Sequence, residues 1–420
     1  MPSLAPIHAL ATVLLCGLML AALSGCEQRE QATRTEIEQG TSPPSAAEHA
    51  AASTSTGNRA SGASRLLVDE PAATPAGMVW VAGGEFRMGT DAVPSPGASN
   101  PDRIKPDEYP EHPVALDGFW MKTTPVTNRE FAQFVAATGY VTLAEREPTR
   151  EELLRMGMHP DQITDEMFRP TSICFKENFD AANLVTGVQN WEYQVWEVRE
   201  GANWRHPEGP DSSIDDRMDH PVVHVNFDDA QAYCAWAGVK LPTEAQFEYA
   251  ARSGGKPVKY PWGDGLTTEG AEMCNYFQGE FPTKHLNRDG FETTSPVKSF
   301  APNELGLYDM SGNVWEWCRD LYDATYYQRS ARHNPTGPAR SFDPAAAPEE
   351  ANAVKRVQRG GSFMCNINNC TGYRCGARMR CEELSSSFHG GFRYVVEPED
   401  RALFDERQSA ITAEAVAASE

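Results

Sequence analysis

Glycine and proline, 33 and 30 of 420 residues, limit what this chain can fold into more than any other feature. Proline ends helices and removes a donor from strand ladders, and glycine marks turns. Scattered as they are, they leave room mainly for short elements. No stretch alternates strand and helix at the spacing of a parallel sheet, and no segment repeats. The expectation is therefore α+β, a single irregular domain over residues 77–399 with little regular secondary structure. An apolar fraction of 40% with nine tryptophans is enough to fill its core.

Within that body a few elements announce themselves. Met78–Met88 holds two alternating runs joined at Gly83-Gly84, which predicts a β-hairpin. Thr127 and Glu130 form a capping box ahead of Phe131, Phe134 and Val135, with Gly139 as the stop. Asn226 can cap a second helix whose stripe is Ala230, Tyr233, Cys234 and Ala237. Thr243 and Gln246 cap a third that turns Phe247 and Ala250 inward.

The N-terminus reads differently. Ile7–Leu23 is an apolar run shorter than the roughly 20 residues of a bilayer span. It ends in Leu23-Ser24-Gly25-Cys26, which resembles the lipobox of bacterial lipoproteins, although the segment before it has no Lys or Arg. The resemblance implies a signal peptide over residues 1–25 and a lipidated Cys26 inserted in the lipid bilayer. Glu27 stands where Asp would retain the protein at the inner membrane. The expected location is the bacterial cell envelope, facing the periplasm from the outer membrane. Residues 26–76, with Ala, Ser, Thr, Glu and Gln prominent, read as a flexible tether. Residues 400–420 read as a tail that frays or forms a short helix.

With 59 Asp+Glu against 37 Lys+Arg the net charge is −22, which excludes a nucleic-acid footprint. Four cysteines, Cys365, Cys370, Cys375 and Cys381, fall close together. Two readings stay open at this point. One is a disulfide cluster in an exported protein. The other is a soft-metal site on Cys365-Asn-Ile-Asn-Asn-Cys370, where four intervening residues allow two sulfurs to meet one ion. Two thiolates without His or carboxylate favour Cu(I) over zinc, which wants four ligands.

Arg359-Gly-Gly-Ser-Phe-Met-Cys365, Cys370, Tyr373-Arg374-Cys375 and Gly391-Phe-Arg393 resemble the C-terminal signature of formylglycine-generating enzymes. Asp117-Gly-Phe-Trp120, Pro125-Val-Thr-Asn128, Gly201–Asp211 and His220-Pro-Val-Val-His224 extend the resemblance over about residues 78–395. Leu241-Pro-Thr-Glu244, Tyr260-Pro-Trp-Gly263 and Gly312–Trp317 are shared more widely. The family has a C-type-lectin-like fold and oxidises a sulfatase cysteine to Cα-formylglycine. The resemblance implies Cu(I) between catalytic Cys365 and Cys370, with the substrate cysteine as a third thiolate. It also implies consumption of O2 and a thiol reductant. Ser362 is expected beside the copper or oxygen site, and Trp315 in the pocket wall. The implied partner is an unfolded cysteine-type sulfatase polypeptide containing Cys-x-Pro-x-Arg, and Trp204, Arg205 and His206 are candidates for its groove.

Two Ca2+ sites are implied in the same way. Asn275, Tyr276, Asp289 and Phe291 match the first; Asp309, Gly312, Val314 and Glu316 match the second, with Asp309 replacing a common Asn. Hard oxygen donors on irregular loops suit Ca2+, while Asx-turn hydrogen bonding is the plainer use of the same residues. There are departures. Vertebrate relatives bridge the equivalents of Cys234 and Cys375 to positions that are Tyr394 and Ala251 here. Asn366, Asn369 and Glu382-Glu-Leu384 also differ from relatives, which touches substrate preference more than the sulfur pair. One alternative is a non-catalytic peptide-binding module of the same fold. Another, the iron-dependent sulfoxide synthases, would need a helical domain that is missing and a Glu where Asn226 follows His220-x3-His224.

Overall fold

The computed structural model describes residues 66–67, 69–92, 100, 102–176, 178–185, 194–346 and 352–419. The signal peptide, Cys26 and the tether up to residue 65 lie outside the described residues.

The Gly83-Gly84 segment does not turn. Strands β1 (Met78–Val81) and β2 (Gly84–Met88) run on in one direction and pair with β4 (Phe119–Lys122) and β3 (His112–Leu116) respectively. Val81 faces Phe119 and Gly84 faces Leu116, so one register passes through the break. The predicted hairpin is thus corrected to one long ribbon. Its reason is Leu67, whose carbonyl accepts from Gly83 N (3.1 Å) and Gly118 N (2.8 Å). A Cβ on Gly83 would lie 2.3 Å from that oxygen. The glycines make room for a chain arriving from outside the ribbon.

The helices follow their caps. α1 (Asn128–Thr138) starts at Thr127, whose box with Glu130 is formed, and stops at left-handed Gly139. α2 (Phe227–Ala237) and α3 (Glu244–Ala251) begin at Asn226 and Thr243 with both boxes closed. β5 (Thr171–Phe175) pairs with β6 (Trp196–Glu200). A four-stranded sheet follows in the order β9 (Met379–Glu382), β8 (Lys355–Arg359), β7 (Trp315–Leu321), β10 (Gly390–Gly391). β11 (Val395–Val396) adds to the edge of β4. Phe131, Trp204, Tyr233, Trp317 and Phe392 anchor one apolar core, and Phe86, Phe119, Phe247 and Tyr327 another.

Both ends of the body are more ordered than expected. The tail is a helix, α4 (Arg401–Ser419). It buries Phe404, worth roughly 1.5–3 kcal/mol, and lays Arg407 where a Gly238 side chain would stand. Glu70 Oε1 accepts from Trp120 Nε1 at 2.8 Å, while Arg401 donates to Ala73 O at 2.6 Å. The last ten or so residues assigned to the tether therefore belong to the folded body.

Buried charge ties α3 to the end of β8. Arg359, fully buried, donates to Glu244 (3.0 Å), Glu248 (2.5 Å) and the carbonyl of Cys375 (2.5 Å). Arg378 forks onto both oxygens of Glu244 at 2.8 Å, and Arg252 takes the other oxygen of Glu248 at 2.9 Å. Burial alone would raise the Glu248 carboxyl, but Arg252 and Arg359 hold it below its ordinary range. Such a lattice is stable only while complete, because a lone buried charge cannot recover its hydration. Arg359→Met should lower the unfolding free energy by about 3–5 kcal/mol, measured in urea; a loss below about 1 kcal/mol would contradict a structural role.

His224 ties its own segment and the loop at Pro207 to β5. Its Nε2 lies 2.8 Å from Pro207 O and its Nδ1 2.7 Å from Ser172 Oγ. A carbonyl can only accept, so Nε2 carries the proton and Ser172 donates to Nδ1. Burial pushes the His224 pKa down to about 4 from 6.5. As pH falls, the unfolded chain takes up that proton first. The stability His224 contributes is whole above pH 6.5 and is lost towards pH 4, at up to about 1.4 kcal/mol per pH unit. The deficit of His224→Gln against the parent in urea unfolding should shrink between neutral and acid pH; a constant gap would contradict this.

Candidate cysteine site

The loop from β8 to β9 is folded back on itself. Gly360 and Gly361 take φ of +90° and +75°, and a Cβ on Gly361 would lie 2.5 Å from Tyr373 N. Only glycine permits that approach. The doubled chain brings Cys365 and Cys370 together with Cα atoms 5.1 Å apart, joined as a disulfide. Four intervening residues allow the two sulfurs to meet, and they do. The dithiolate that would hold a soft ion is the two-electron-reduced form of this same pair.

Cys365 is held from three sides. Its N–H donates to Ser362 O (2.9 Å), its carbonyl accepts from Phe277 N (2.9 Å), and Ser362 N–H points at its sulfur from 3.5 Å. Asn366 donates to the carbonyls of Phe277 and Gly279 at 2.8 and 3.0 Å. Trp315, Tyr373, Tyr260, Cys274 and Tyr276 form one buried apolar cluster with Cys365. A Cβ on Gly372 would stand 2.4 Å from the Trp315 ring and 2.9 Å from Cys365 Sγ. Trp315 thus packs in one apolar cluster with Cys365 rather than in the wall of the neighbouring cavity. Cys365 is 1% exposed, whereas Cys370 is partly open. Ser362 Oγ accepts from Met364 N at 3.2 Å, which is the turn contact, and also meets His389.

A cavity of about 630 Å³ lies beside this loop, walled by Phe277, Phe363, Met364 and Phe388. Asn128, Glu208, His285 and Asn287 also line it, and each presents a buried polar atom without a protein partner. An incoming chain or water can satisfy such atoms. Trp204, Arg205 and His206 do not line it, which corrects the groove assignment. Trp204 is fully buried, donates from Nε1 to Glu145 (3.0 Å) and meets Phe131 edge to face. Arg205 stacks on that ring at 4.1 Å and pairs with Glu145; His206 bonds Ser212 O at 2.5 Å. This triplet is scaffold, and the residues just after it, Pro207 and Glu208, reach the cavity.

The two oxygen sets differ. In the first, Asn275 Oδ1 is buried and has no partner, while its amide nitrogen, tied to Thr293 O at 2.7 Å, fixes the orientation. Gln278 Nε2 donates to both Tyr276 O and Asp289 Oδ2, so those two oxygens converge. Burial raises the Asp289 pKa, and a divalent cation would reverse that. The set fits Ca2+. In the second, Glu316 gives both oxygens to Arg393 at 2.6 and 2.7 Å. Asp309 Oδ2 accepts from Lys298 N at 3.0 Å. Neither side chain has an orphaned oxygen there, and the guanidinium already neutralises the carboxylate, so this set does not fit.

His220 and His224 do not form a metal pair. Both nitrogens of His224 are used, and His220 Nδ1 lies 2.9 Å from Thr294 Oγ1. Among the described residues, Cys234, Cys274, Cys318 and Cys375 are buried free thiols. Sequence reasoning missed His389 and Gly372, though Gly372 lies in a stretch it quoted on both sides and His389 stands just ahead of Gly391-Phe-Arg393.

Residues 63–398 match the model of the sulfatase-modifying factor enzyme 1-like domain. The formylglycine-generating enzyme of Thermomonospora curvata is 42% identical over 323 residues, 77% of this chain and 94% of that protein. The Bos taurus formylglycine-generating enzyme is 38% identical over 76% of this chain and 74% of its own length. The inactive Cα-formylglycine-generating enzyme 2 of Bos taurus is 39% identical but covers 59% of this chain. By the length and identity of these matches, the chain belongs to the formylglycine-generating enzyme family.

Proposed function

We propose that the protein is a copper-dependent oxidase that converts the cysteine of a Cys-x-Pro-x-Arg segment in an unfolded sulfatase to Cα-formylglycine. The observation that carries this reading is the Cys365–Cys370 pair, closed onto one point, in a loop whose Phe363 and Met364 wall a cavity large enough for an extended segment. An extended chain lying there would run past the polar side chains of Asn128, Glu208 and Asn287. Its apolar side chains would rest on the phenylalanine wall.

The chain's own groups prepare the sulfur pair. An external thiol opens the disulfide by exchange, two thiols giving one external disulfide and the reduced pair. Cys370, the more open of the two, is the sulfur that reductant and substrate meet first. Reduced Cys365 and Cys370 would then hold Cu(I), as two soft donors without a competing hard ligand. Bound copper supplies one-electron chemistry with O2 beside the substrate cysteine. Ser362 N–H, aimed at Cys365 Sγ, stabilises thiolate character there. Trp315 and Tyr373 keep water from the buried side. The whole reaction balances as one cysteine side chain, one O2 and two thiols giving aldehyde, hydrogen sulfide, one disulfide and water.

A lipid anchor at Cys26 would hold this site in the periplasm at a membrane surface, where a tethered enzyme could meet a sulfatase that is exported unfolded. The non-catalytic alternative gains little, because a module that only binds has no use for a reducible pair beside its groove.

The reduced, copper-loaded chain should turn a Cys-x-Pro-x-Arg peptide into the aldehyde in air with a thiol, read by mass spectrometry. Cys365→Ser and Cys370→Ser should each abolish conversion while peptide binding persists. Absence of turnover by the fully loaded parent would favour the binding module. For the first oxygen set, millimolar Ca2+ should raise the melting temperature of the parent and much less that of Asn275→Ala. No shift in the parent would refute that site.

A further inference from the structure

Resting on the oxidase reading, one side chain stands out that no motif singled out. His389 Nδ1 lies 3.2 Å from Ser362 Oγ, and Ser362 is the residue whose N–H and carbonyl both bond Cys365. We infer that His389 is a positioning residue that fixes the Ser362 hydroxyl beside the sulfur pair through its Nδ1.

The geometry leaves the hydroxyl little freedom. Met364 N–H occupies one lone pair of Oγ at 3.2 Å, and the imidazole supplies the second contact. With Nδ1 protonated, the hydroxyl hydrogen is turned away from the ring; with Nε2 protonated, it points at the ring. Either tautomer removes the free rotation a serine hydroxyl otherwise has. The ring is packed on both sides, stacked on Phe388 at 4.7 Å and 10° and meeting Trp196 at 5.5 Å. Its own carbonyl accepts from Trp315 N at 2.8 Å, so one residue ties together the tryptophan and the serine of the site. Apolar packing pushes its pKa down to about 3, with His224 adding to the effect. A neutral ring brings no positive charge near thiolates that the reaction must keep reactive.

Asparagine offers an amide group near the place of Nδ1, whereas phenylalanine keeps the ring and offers nothing. In the peptide assay His389→Phe should lower kcat about 10–100-fold, the range for losing an outer partner of a reactive site, with KM unchanged. His389→Asn should restore kcat to within a few-fold of the parent. Ser362→Ala should match His389→Phe, and the double variant should be no slower than either. Effects that multiply, or an asparagine variant as slow as phenylalanine, would overturn the inference. A second measurement needs no turnover: imidazole nitrogen NMR on the full chain. Ser362→Ala should shift His389 Nδ1 more than Nε2. An unmoved Nδ1 would refute the contact even if no copper chemistry occurs, whereas a moved Nδ1 in an inactive parent would leave the contact standing and sink the oxidase reading instead.

Discussion

A guanidinium taken out of water needs all its charge returned by neighbours, and Arg359 finds that charge on α3. Glu244 and Glu248, one helical turn apart, meet its two terminal nitrogens, one of which also donates to Cys375 O. The consequence is geometric. β8, α3 and the far end of the cysteine loop must come together or leave buried ions uncompensated. Arg374 closes the same loop from the other side, forking onto Glu108 at 2.7 and 2.8 Å. The loop bearing Cys365 and Cys370 is therefore clamped at its base, while at its tip Ile367 is exposed and tied through its carbonyl to Arg103.

A clamped base matters for chemistry that uses the pair in two states. Opening a disulfide lets two sulfurs drift, and a soft ion is held well only if they return to one point. Here backbone bonds from Phe277 and Ser362 fix Cys365, and missing side chains at Gly361 and Gly372 let the strand with Trp315 press against it. Rigidity around Cys365 with relative openness at Cys370 divides the labour between an anchored sulfur and an accessible one. The cavity walled by Phe363 and Met364 of this loop combines apolar rings with the polar side chains of Asn128, Glu208 and Asn287, which suits a peptide.

Local signals were legible and distant ones were not. The caps at Thr127, Asn226 and Thr243 name their helices because the partner stands three residues away. Gly83-Gly84 misled because the carbonyl that needs the space belongs to Leu67, in a stretch whose composition reads as tether. Trp204 looked like a binding residue since its motif is distinctive, yet a tryptophan with one polar atom satisfied by Glu145 can be buried whole. Spacing brought the cysteine pair into view but left it open between a disulfide and a soft-metal site. His389 was not, since its meaning depends on a contact across 27 residues. Of the two oxygen sets, sequence could not see that Arg393 fills one of them.

The account stands on Cys365 and Cys370 forming one soft-ion site when reduced. Its most direct test is a Cu(I) titration of the reduced full chain against a competing chelator. The account predicts one tightly held equivalent for the parent and none for Cys365→Ser. A parent that takes up no copper, or a variant that binds it as tightly, would contradict it.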